Sequence, residues 1–574
     1  MKFFEELKRR NVIKATIAYI VVAWVLLQVT SIILPIVGAP EWVLKILTFF
    51  IGIGLPIWII FSWVYEVTPE GLKKTAKVSE EKSITAATNK RLNIIIIITL
   101  IIAIGISFIN KSRTNSSLNS MSTNDLKIDN SIAVLPFVNM SSDMEQEYFA
   151  DGLSEELINM LTRLPSLKVI GRTSSFAYKG KNEDLREIGK ALDVEYLLEG
   201  SVRKSGNKIR ITAQLINSKD GSHLWSKTFD RSLEDIFEIQ NEISSSVVNA
   251  LSITLSKDQS LFKNDTKNSE AYNYFLRGRY YYELNKGGTE TDEALKWFNE
   301  AIKADPSFSL AWTYKSMCSW RKTNNSNSSM FAQAKKAAFK AFELDPTSGI
   351  ATVNVAEILD SEYDFYGALE KIEMALKLEP NNPYVLRNAG RFYTILGRKD
   401  ESIKFCKSAL KNDPIQGSAL EYLIAAFYYA EQYDNVKMII EEFKDRYPQI
   451  IAFRACINVL ALENNMPSSI KTAKKGDFKK EELYAKVLQS KKMGNKQTSE
   501  ELVLQMVTNY GDKPYLIAIS FAGIGENIKA LDWLEKSHSM KDKELVYVNV
   551  EPMFKELRNM DRFNNLINKM NFPK

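Results

Sequence analysis

Three long apolar runs dominate the beginning of the chain, at residues 12–34, 43–65 and 92–109. Each run contains few charged side chains. The two longer runs would extend roughly 34 Å as helices, at about 1.5 Å per residue. A bilayer core is about 30 Å thick, which segments of this length can cross. The pattern predicts a membrane module over residues 1–110 with three transmembrane helices.

Basic residues indicate how such a module would be oriented. Lys and Arg precede the first run and recur between the second and third, whereas the link between the first two runs contains neither. Because positively charged loops stay on the cytoplasmic side, the amino terminus and residues 66–91 are expected there. With three spans, the rest of the chain would lie on the opposite side of the membrane.

A change of pattern follows the third run. Residues 111–130 are rich in Ser, Asn and Thr, which predicts a flexible linker. From 131 to 258, short apolar strands alternate with amphipathic helices in the order β-α-β-α-β-β-β-α. Turn sequences at Gly206-Asn207 and Asp220-Gly221 join the last three strands as hairpins. This order predicts one small α/β domain.

Small residues recur at helical spacing beyond residue 269. A set at offsets 0, 4, 7 and 12 begins at Ala294, Ala334, Ala368 and Ser402, in steps of 40, 34 and 34 residues, and each set ends on a proline. About 34 residues is the tetratricopeptide period, and proline ends the second helix of each unit. The spacing predicts an all-α tetratricopeptide-repeat solenoid with a C-terminal cap over 269–574, whose concave face binds protein or peptide partners.

Six short motifs in the middle segment carry a family resemblance. They are LPF at 135–137, YFADG at 148–152, RTSSF at 172–176, YLLEGSV at 196–202, RITAQL at 210–215 and HLWS at 223–226. Residues 130–255 thereby resemble the TolB amino-terminal-like domain, also described as FlgO-like, of bacterial envelope proteins. That family often joins the domain to transmembrane segments and carboxy-terminal tetratricopeptide repeats.

The resemblance implies a multidomain envelope protein: transmembrane helices, a TolB-like α/β domain and a repeat solenoid. The expected location is the bacterial inner membrane, multi-pass, with the soluble C-terminal region in the periplasm. The expected function is a membrane-anchored scaffold or sensor that binds protein partners through the repeats and the TolB-like domain.

Relatives with this domain also include membrane-bound transcriptional regulators and class III nucleotide cyclases. In those relatives a winged helix-turn-helix or cyclase domain precedes the shared portion, whereas residues 1–11 precede the first apolar run here. The alternative function is therefore a signalling component that has lost its effector domain or works with a separate one.

Composition offers little for catalysis. The chain of 574 residues has three cysteines and two histidines, with 75 basic and 69 acidic residues giving a net charge of +6. The scattered cysteines match neither a disulfide framework nor a zinc site, and two histidines restrict histidine-based sites. The mixed charges do not indicate nucleic-acid binding. We expect no enzymatic activity, no cofactor and no metal, and leave the oligomeric state open.

Two groups of residues have both a functional and a purely structural interpretation. Acidic residues at 143–156 indicate either a metal or general-base site or, as we favour, helix capping from Ser154 and a solvated loop. Tyr274 and Tyr281 are candidate partner-contacting aromatic residues, and Arg387 and Arg391 are a candidate anion-contacting pair. The alternative is that these four side chains pack between repeat helices.

Overall fold

The structure is a computed structural model that divides into two compact units, Met1–Asp125 and Leu126–Lys574. The residues it describes are 42–68, 71–74, 130–142, 146–164, 166–251, 253, 265–284, 289–323, 328–444, 454–462 and 479–573, with scattered positions from 16 to 30.

Helix α1 (Trp42–Val64) covers the second apolar run and leads into a hairpin of β1 (Tyr65–Thr68) and β2 (Gly71–Lys74). Among the described residues, no helix combines the length and apolar character needed to cross a membrane. The predicted transmembrane helices, and the multi-pass inner-membrane location with a periplasmic C-terminal region, are therefore wrong.

The physical reason for the error is that a hydropathy pattern counts apolar residues along the chain but does not show the length or the internal hydrogen bonding of the helix that they form. Pro56 lies inside α1, where proline cannot donate to the helical hydrogen-bond ladder. The run at 92–109, most of the run at 12–34 and the predicted linker before Asn130 lie outside the described residues.

A mixed β-sheet forms the centre of the α/β domain. Its order is β5-β3-β6-β7-β8, with β4 beside β6. β3 pairs in parallel with β5 and β6, and β6 to β8 form an antiparallel meander. The strands are β3 (Asn130–Val134), β4 (Val138–Asn139), β5 (Leu167–Val169), β6 (Tyr196–Ser205), β7 (Lys208–Asn217) and β8 (His223–Ser232).

Four helices accompany this sheet, and the observed order contains the predicted one with β4 and a short helix added. Ser154 does not cap a helix as expected: it lies inside α2, where its Oγ accepts from the Phe137 N–H at 2.8 Å and donates to the Ala150 carbonyl at 3.0 Å. The helices are α2 (Glu147–Thr162), α3 (Arg172–Phe176), α4 (Leu185–Leu192) and α5 (Ile236–Ala250).

Beyond the α/β domain the chain folds into antiparallel helix pairs, which confirms the tetratricopeptide-like repeat region. Helices α8, α10, α12 and α14 begin at Ser309, Gly349, Pro383 and Gly417, so they repeat the steps of 40, 34 and 34 residues found in the sequence. The five pairs are α6 (Ser269–Leu284) with α7 (Thr289–Ala304), α8 (Ser309–Arg321) with α9 (Ser329–Leu344), α10 (Gly349–Ser361) with α11 (Phe365–Leu378), α12 (Pro383–Ile395) with α13 (Lys399–Asn412), and α14 (Gly417–Tyr429) with α15 (Tyr433–Phe443).

The array continues with less regular helices. They are α16 (Arg454–Leu462), α17 (Lys479–Lys492), α18 (Lys496–Tyr510), α19 (Pro514–Gly523), α20 (Asn527–Ser539) and, after three short 3-10 turns, α21 (Asp561–Met570).

The hydrophobic cores do not follow the division into domain and repeats. Leu153 and Leu157 of α2 belong to the same buried cluster as Phe275 and Leu276 of α6, and this cluster continues to Cys318 of α8. The later repeats have separate clusters, and the cluster of α13 and α14 contains no residue of the α/β domain among those described. The α/β domain and the first repeats therefore share one core.

Candidate partner-binding face of the repeats

The first helices of successive pairs, α6, α8, α10, α12 and α14, pack side by side in one layer. We call the surface of this layer the first-helix face. Because residues three or four apart lie on one side of a helix, Tyr384, Arg387 and Arg391 form a stripe along α12 on this face. The predicted arginine pair is thus brought together.

Arg387 is half-buried, and aromatic rings surround its guanidinium group. That group lies 4.8 Å from the ring centre of Tyr384 and 5.9 Å from that of Tyr422, and Nη1 donates to the Ser418 hydroxyl at 2.7 Å. Its Nε is buried without an acceptor, and no carboxylate pairs with Arg387 in the part of the chain that the structure describes. Arg387 therefore makes no direct salt bridge among the described residues, although its charge acts on the nearby carboxylates of Glu357 and Asp413.

Arg391 has the opposite environment. It is buried, and its Nη1 donates to Asp360 Oδ2 at 2.6 Å. Burial disfavours the charge on Arg391, but the neighbouring Asp360 carboxylate outweighs it and holds the pKa of Arg391 well above its ordinary value. Arg391 is therefore an internal counter-charge between α10 and α12.

Two further polar side chains on this face were not singled out from the sequence. The Tyr384 hydroxyl donates to Asn354 Oδ1 at 3.0 Å and lies 3.3 Å from Glu357 Oε2. Burial raises the pKa of Glu357, which lies one turn from Asp360 on α10. The sequence contained a signal for both residues. Glu357 and Asp360 are three residues apart, as Tyr384 and Arg387 are, and this spacing places each pair on one face of its helix.

The two candidate tyrosines lie elsewhere on α6. The Tyr274 hydroxyl donates to Glu270 at 3.0 Å, and its ring stacks on Trp297 of α7 at 5.8 Å. Tyr281 packs edge-on against Tyr280 at 5.6 Å. Both are half-buried in contacts within the first repeat, and neither belongs to the stripe that contains Arg387.

The C-terminal segment lies along the ends of the first helices. Lys543 Nζ donates to the Thr323 carbonyl at 3.0 Å, and the Tyr363 hydroxyl donates to the Asp542 carbonyl at 3.0 Å. Tyr547 stacks on Tyr429 with ring centres 5.2 Å apart. The predicted cap thus contacts several repeats along one edge.

The α/β domain contacts the same layer through a buried ionic cluster. Glu155 of α2 pairs with both Arg172 and Arg279, Arg279 Nη1 lies 3.3 Å from Glu156 Oε1, and Arg172 Nη1 lies 3.4 Å from Glu283 Oε2. Burial raises the pKa of Glu156 to about 7 despite Arg279. We call this the first-repeat contact.

The first-repeat contact corrects the expectation of a solvated acidic loop. Asp151, Glu155 and Glu156 are buried, and Lys179 Nζ donates to Asp151 at 2.6 Å. Residues 143–145 lie outside the described residues. Within the described ranges, no group of three or more His, Cys, Asp or Glu side chains is arranged to hold a metal ion.

The α/β domain reaches the array a second time, at the turn between α13 and α14. Ser174 of α3 donates to Asp413 Oδ1 from its N–H at 2.8 Å and from its hydroxyl at 2.5 Å. The Ile415 N–H donates to the Ser174 hydroxyl at 2.9 Å, and the Gly171 N–H donates to the Asn412 carbonyl at 2.7 Å. We call this the fourth-repeat contact.

Comparison with known proteins gives one family match with defined residues and two curated relatives. Residues 128–246 match the family model "HilA/YgeH-like transcriptional regulator, second domain". A "Putative adenylate cyclase 3" of Rhizobium meliloti is 44% identical over 183 residues, which are 32% of this chain and 31% of that protein.

The second curated relative and a solved structure are more distant in sequence. The "TPR repeat-containing protein YpiA" of Bacillus subtilis is 22% identical over 159 residues, 27% of this chain and 35% of that protein. The solved structure of PilF from Pseudomonas aeruginosa is 20% identical and covers 36% of this chain and 93% of PilF, with a TM-score of 0.29. The chain spans about a third of the length of the curated relatives it matches.

Proposed function

We propose that this chain is a scaffold or sensor that recruits protein partners through its tetratricopeptide-like repeats, with a TolB-like α/β domain as a second functional element. The observation that carries the proposal is the environment of Arg387. It is the member of the arginine pair that faces aromatic rings and a hydroxyl, whereas Arg391 is paired with a buried carboxylate.

Such a site fits an acidic side chain or terminal carboxylate of an extended peptide. A guanidinium group binds a carboxylate through parallel hydrogen bonds, and flanking rings hold the guanidinium plane in place. Tyr384 and Tyr422 supply such rings. The proposed partner is therefore a protein segment with an acidic residue, and Tyr274 and Tyr281 have a packing role within α6 and α7.

An array of extended peptides tests this proposal on the full-length chain. Acidic peptides are compared with versions in which Glu and Asp are replaced by Gln and Asn, and Arg387→Gln is compared with Arg562→Gln. Arg562 is exposed and pairs with Asp532 and Glu535 on α20, so it is a surface control for the loss of one arginine.

We expect binding of acidic peptides to fall at least about tenfold for Arg387→Gln and to persist for Arg562→Gln, because one charged hydrogen-bonded pair contributes about 1.5–3 kcal/mol. Equal binding of acidic and amide peptides, or equal loss in both variants, would remove the support for this site.

We further propose a non-enzymatic role for the chain. The buried carboxylates of α2 have structural partners: Asp151 pairs with Lys179, and Glu155 pairs with Arg172 and Arg279. Metal-dependent turnover of ATP or GTP by the purified chain would overturn this part of the proposal.

The second candidate function is a signalling component that works with an effector domain. It is favoured by the match of residues 128–246 to a regulator domain and by the 44% identity to the adenylate cyclase relative. Mixing the purified chain with a separately produced cyclase domain tests it. A change in cyclic AMP formation that depends on the α/β domain would favour this candidate over a scaffold.

A further inference from the structure

Each of the four described turns between helix pairs begins with an acidic residue followed by proline, and in three of these turns the array itself satisfies that acid. Ser307 donates to Asp305 Oδ1 from its N–H at 2.9 Å and its hydroxyl at 2.6 Å, and Thr347 does the same for Asp345 at 3.1 and 2.6 Å. Glu379 accepts from the Gly349 N–H at 2.7 Å. In such a turn the Asp side chain accepts from the backbone N–H two residues on, and in the Asp305 and Asp345 turns the residue at that position adds its hydroxyl.

The turn at Asp413 lacks this local partner because the residue two positions later is Ile415. Ser174 of the α/β domain takes its place, with the same two donors, an N–H and a hydroxyl, on the same carboxylate oxygen. Its hydroxyl also accepts from the Ile415 N–H. A residue 239 positions away thus completes the turn of the fourth repeat.

The fourth-repeat contact also requires close approach of the two backbones. Gly171 precedes α3 with φ −64° and ψ 159°, a conformation that any residue adopts. A Cβ at this position would nevertheless collide with the side chain of Asp413. Gly171 is therefore needed for space rather than for backbone freedom.

The first-repeat contact and the fourth-repeat contact of the α/β domain differ in the kind of interaction that is lost when each contact opens. At the first-repeat contact, Leu276 lies against Gly152 within a shared hydrophobic core, beside the buried pair of Glu155 and Arg279. At the fourth-repeat contact the described interactions are hydrogen bonds, which water can replace, whereas opening a core exposes apolar surface. The fourth-repeat contact is thus the easier one to open.

We propose that the fourth-repeat contact is a clasp that opens while the first-repeat contact stays closed, and that its opening gives protein partners access to the Asp413 turn and Arg387. The proposal rests on the proposed function of the repeats. It is supported by the proximity of the two sites: Arg387 Nη1 donates at 2.7 Å to the hydroxyl of Ser418, which lies in the first turn of α14 directly after the Asp413 turn.

Hydrogen–deuterium exchange of the full-length chain tests the clasp. Ser174→Ala removes its hydroxyl, and Gly171→Ala forces the backbones apart. Ser175→Ala is the matched control because the Ser175 hydroxyl is equally buried but has no hydrogen-bond partner among the described residues. We expect exchange at residues 412–418 and 171–176 to rise about tenfold in the first two variants, with α6 unchanged.

Two results would overturn the clasp. One is exchange in Ser174→Ala equal to that in Ser175→Ala. The other is faster exchange in α6 together with residues 412–418, because the domain would then detach as a whole.

A double variant separates the clasp from simple stabilisation of the turn. Ser174→Ala with Ile415→Ser restores a hydroxyl two positions after Asp413, as Ser307 and Thr347 provide in their own turns. We expect protection to return at residues 412–418 but not at 171–176. Protection that returns at 171–176 would show that Ser174 acts only on the turn and would overturn the clasp.

Binding of acidic peptides tests access to Arg387. We expect Ser174→Ala and Gly171→Ala to bind such peptides about tenfold more tightly than the natural chain, and addition of Arg387→Gln to abolish the gain. Increased exchange with unchanged affinity would overturn the gating role and leave the proposed function standing. Absence of binding in every variant, with exchange as expected, would overturn the proposed function and the gating role together.

Discussion

Arg387 and Arg391 differ in the partner groups that would lose an interaction if each arginine were replaced. Replacing Arg391 by Met leaves Asp360 as a buried carboxylate without its partner, a change that costs about 3–5 kcal/mol in comparable cases. Replacing Arg387 by Met removes a hydrogen bond to Ser418 and ring contacts, for about 1 kcal/mol.

We therefore expect Arg391→Met to lower the free energy of unfolding by about 3 kcal/mol more than Arg387→Met. Chemical denaturation of both variants, followed by circular dichroism, measures the difference. Equal destabilisation would show that the pair with Asp360 does not hold α10 to α12.

Glu156 makes the stability of the chain depend on pH. Burial raises its pKa to about 7 from an ordinary value of 4.5, so the folded state holds this proton more tightly than the unfolded state does. The resulting stability is present below about pH 4.5 and is lost as the pH rises towards and through 7. The full effect is about 3 kcal/mol.

Glu156→Gln keeps the shape of the protonated form and cannot ionise. We expect it to match the natural chain in stability at about pH 4 and to exceed it by about 3 kcal/mol at about pH 8. Urea denaturation at the two pH values measures this, and a difference between the proteins that does not change with pH would contradict the assignment.

At the scale of elements, small residues determine how closely paired helices approach. A Cβ at Gly390 of α12 would collide with the sulfur of Cys406 on α13, whereas a Cβ at Gly417 of α14 meets nothing within 4 Å. Over-packing of this kind costs about 1–3 kcal/mol, and Gly to Ala in an open helix position is neutral or stabilising.

We therefore expect Gly390→Ala to lower the thermal unfolding midpoint by several degrees and Gly417→Ala to leave it unchanged or raise it. Differential scanning calorimetry measures both. A matched decrease in the two variants would mean that the backbone, and not the contact with Cys406, sets the requirement for glycine.

The sequence is most informative where structure depends on local repetition. The period of 34 residues located the starts of α10, α12 and α14, because each unit buries the same small positions against its neighbour. The start of α2 was missed because the Ser154 hydroxyl bonds to Phe137, a partner supplied by another element. Capping rules consider only neighbours along the chain.

The candidate site shows the same limit. Helical spacing placed Arg387 and Arg391 on one face, but which of them is paired depends on Asp360 from the preceding repeat unit. The docking of Ser174 on Asp413 joins residues 239 positions apart, which no pattern in the sequence indicates. The membrane prediction was wrong at the level of the element, since no described helix combines the length and apolar character needed to cross a membrane.

At the scale of the whole molecule, the shared core predicts that damage to a repeat helix reaches the sheet. Leu276 of α6 is buried in the same cluster as the α/β domain, and Leu531 of α20 is equally buried in a different cluster. Replacing a buried Leu by Ala costs about 2–5 kcal/mol at either position.

We expect Leu276→Ala to accelerate hydrogen exchange in β6 and β7, and Leu531→Ala to leave these strands unaffected. Hydrogen–deuterium exchange with peptide-level resolution measures both responses. Unchanged exchange in β6 and β7 of Leu276→Ala would mean that the sheet is stable without the first repeat.

The shared core also sets an order of events during synthesis. Leaving the ribosome, the strands and helices up to Ala250 lack the apolar surfaces of α6 and α8 that complete their core, so the domain is finished only after Cys318 has emerged. The contact between Ser174 and Asp413 forms later still, because Asp413 is synthesised after Cys318. The same dependence limits transfer of this domain into another protein. A segment that ends at α5 would expose part of its hydrophobic core to water, whereas a segment that includes α6 to α8 would keep that core buried.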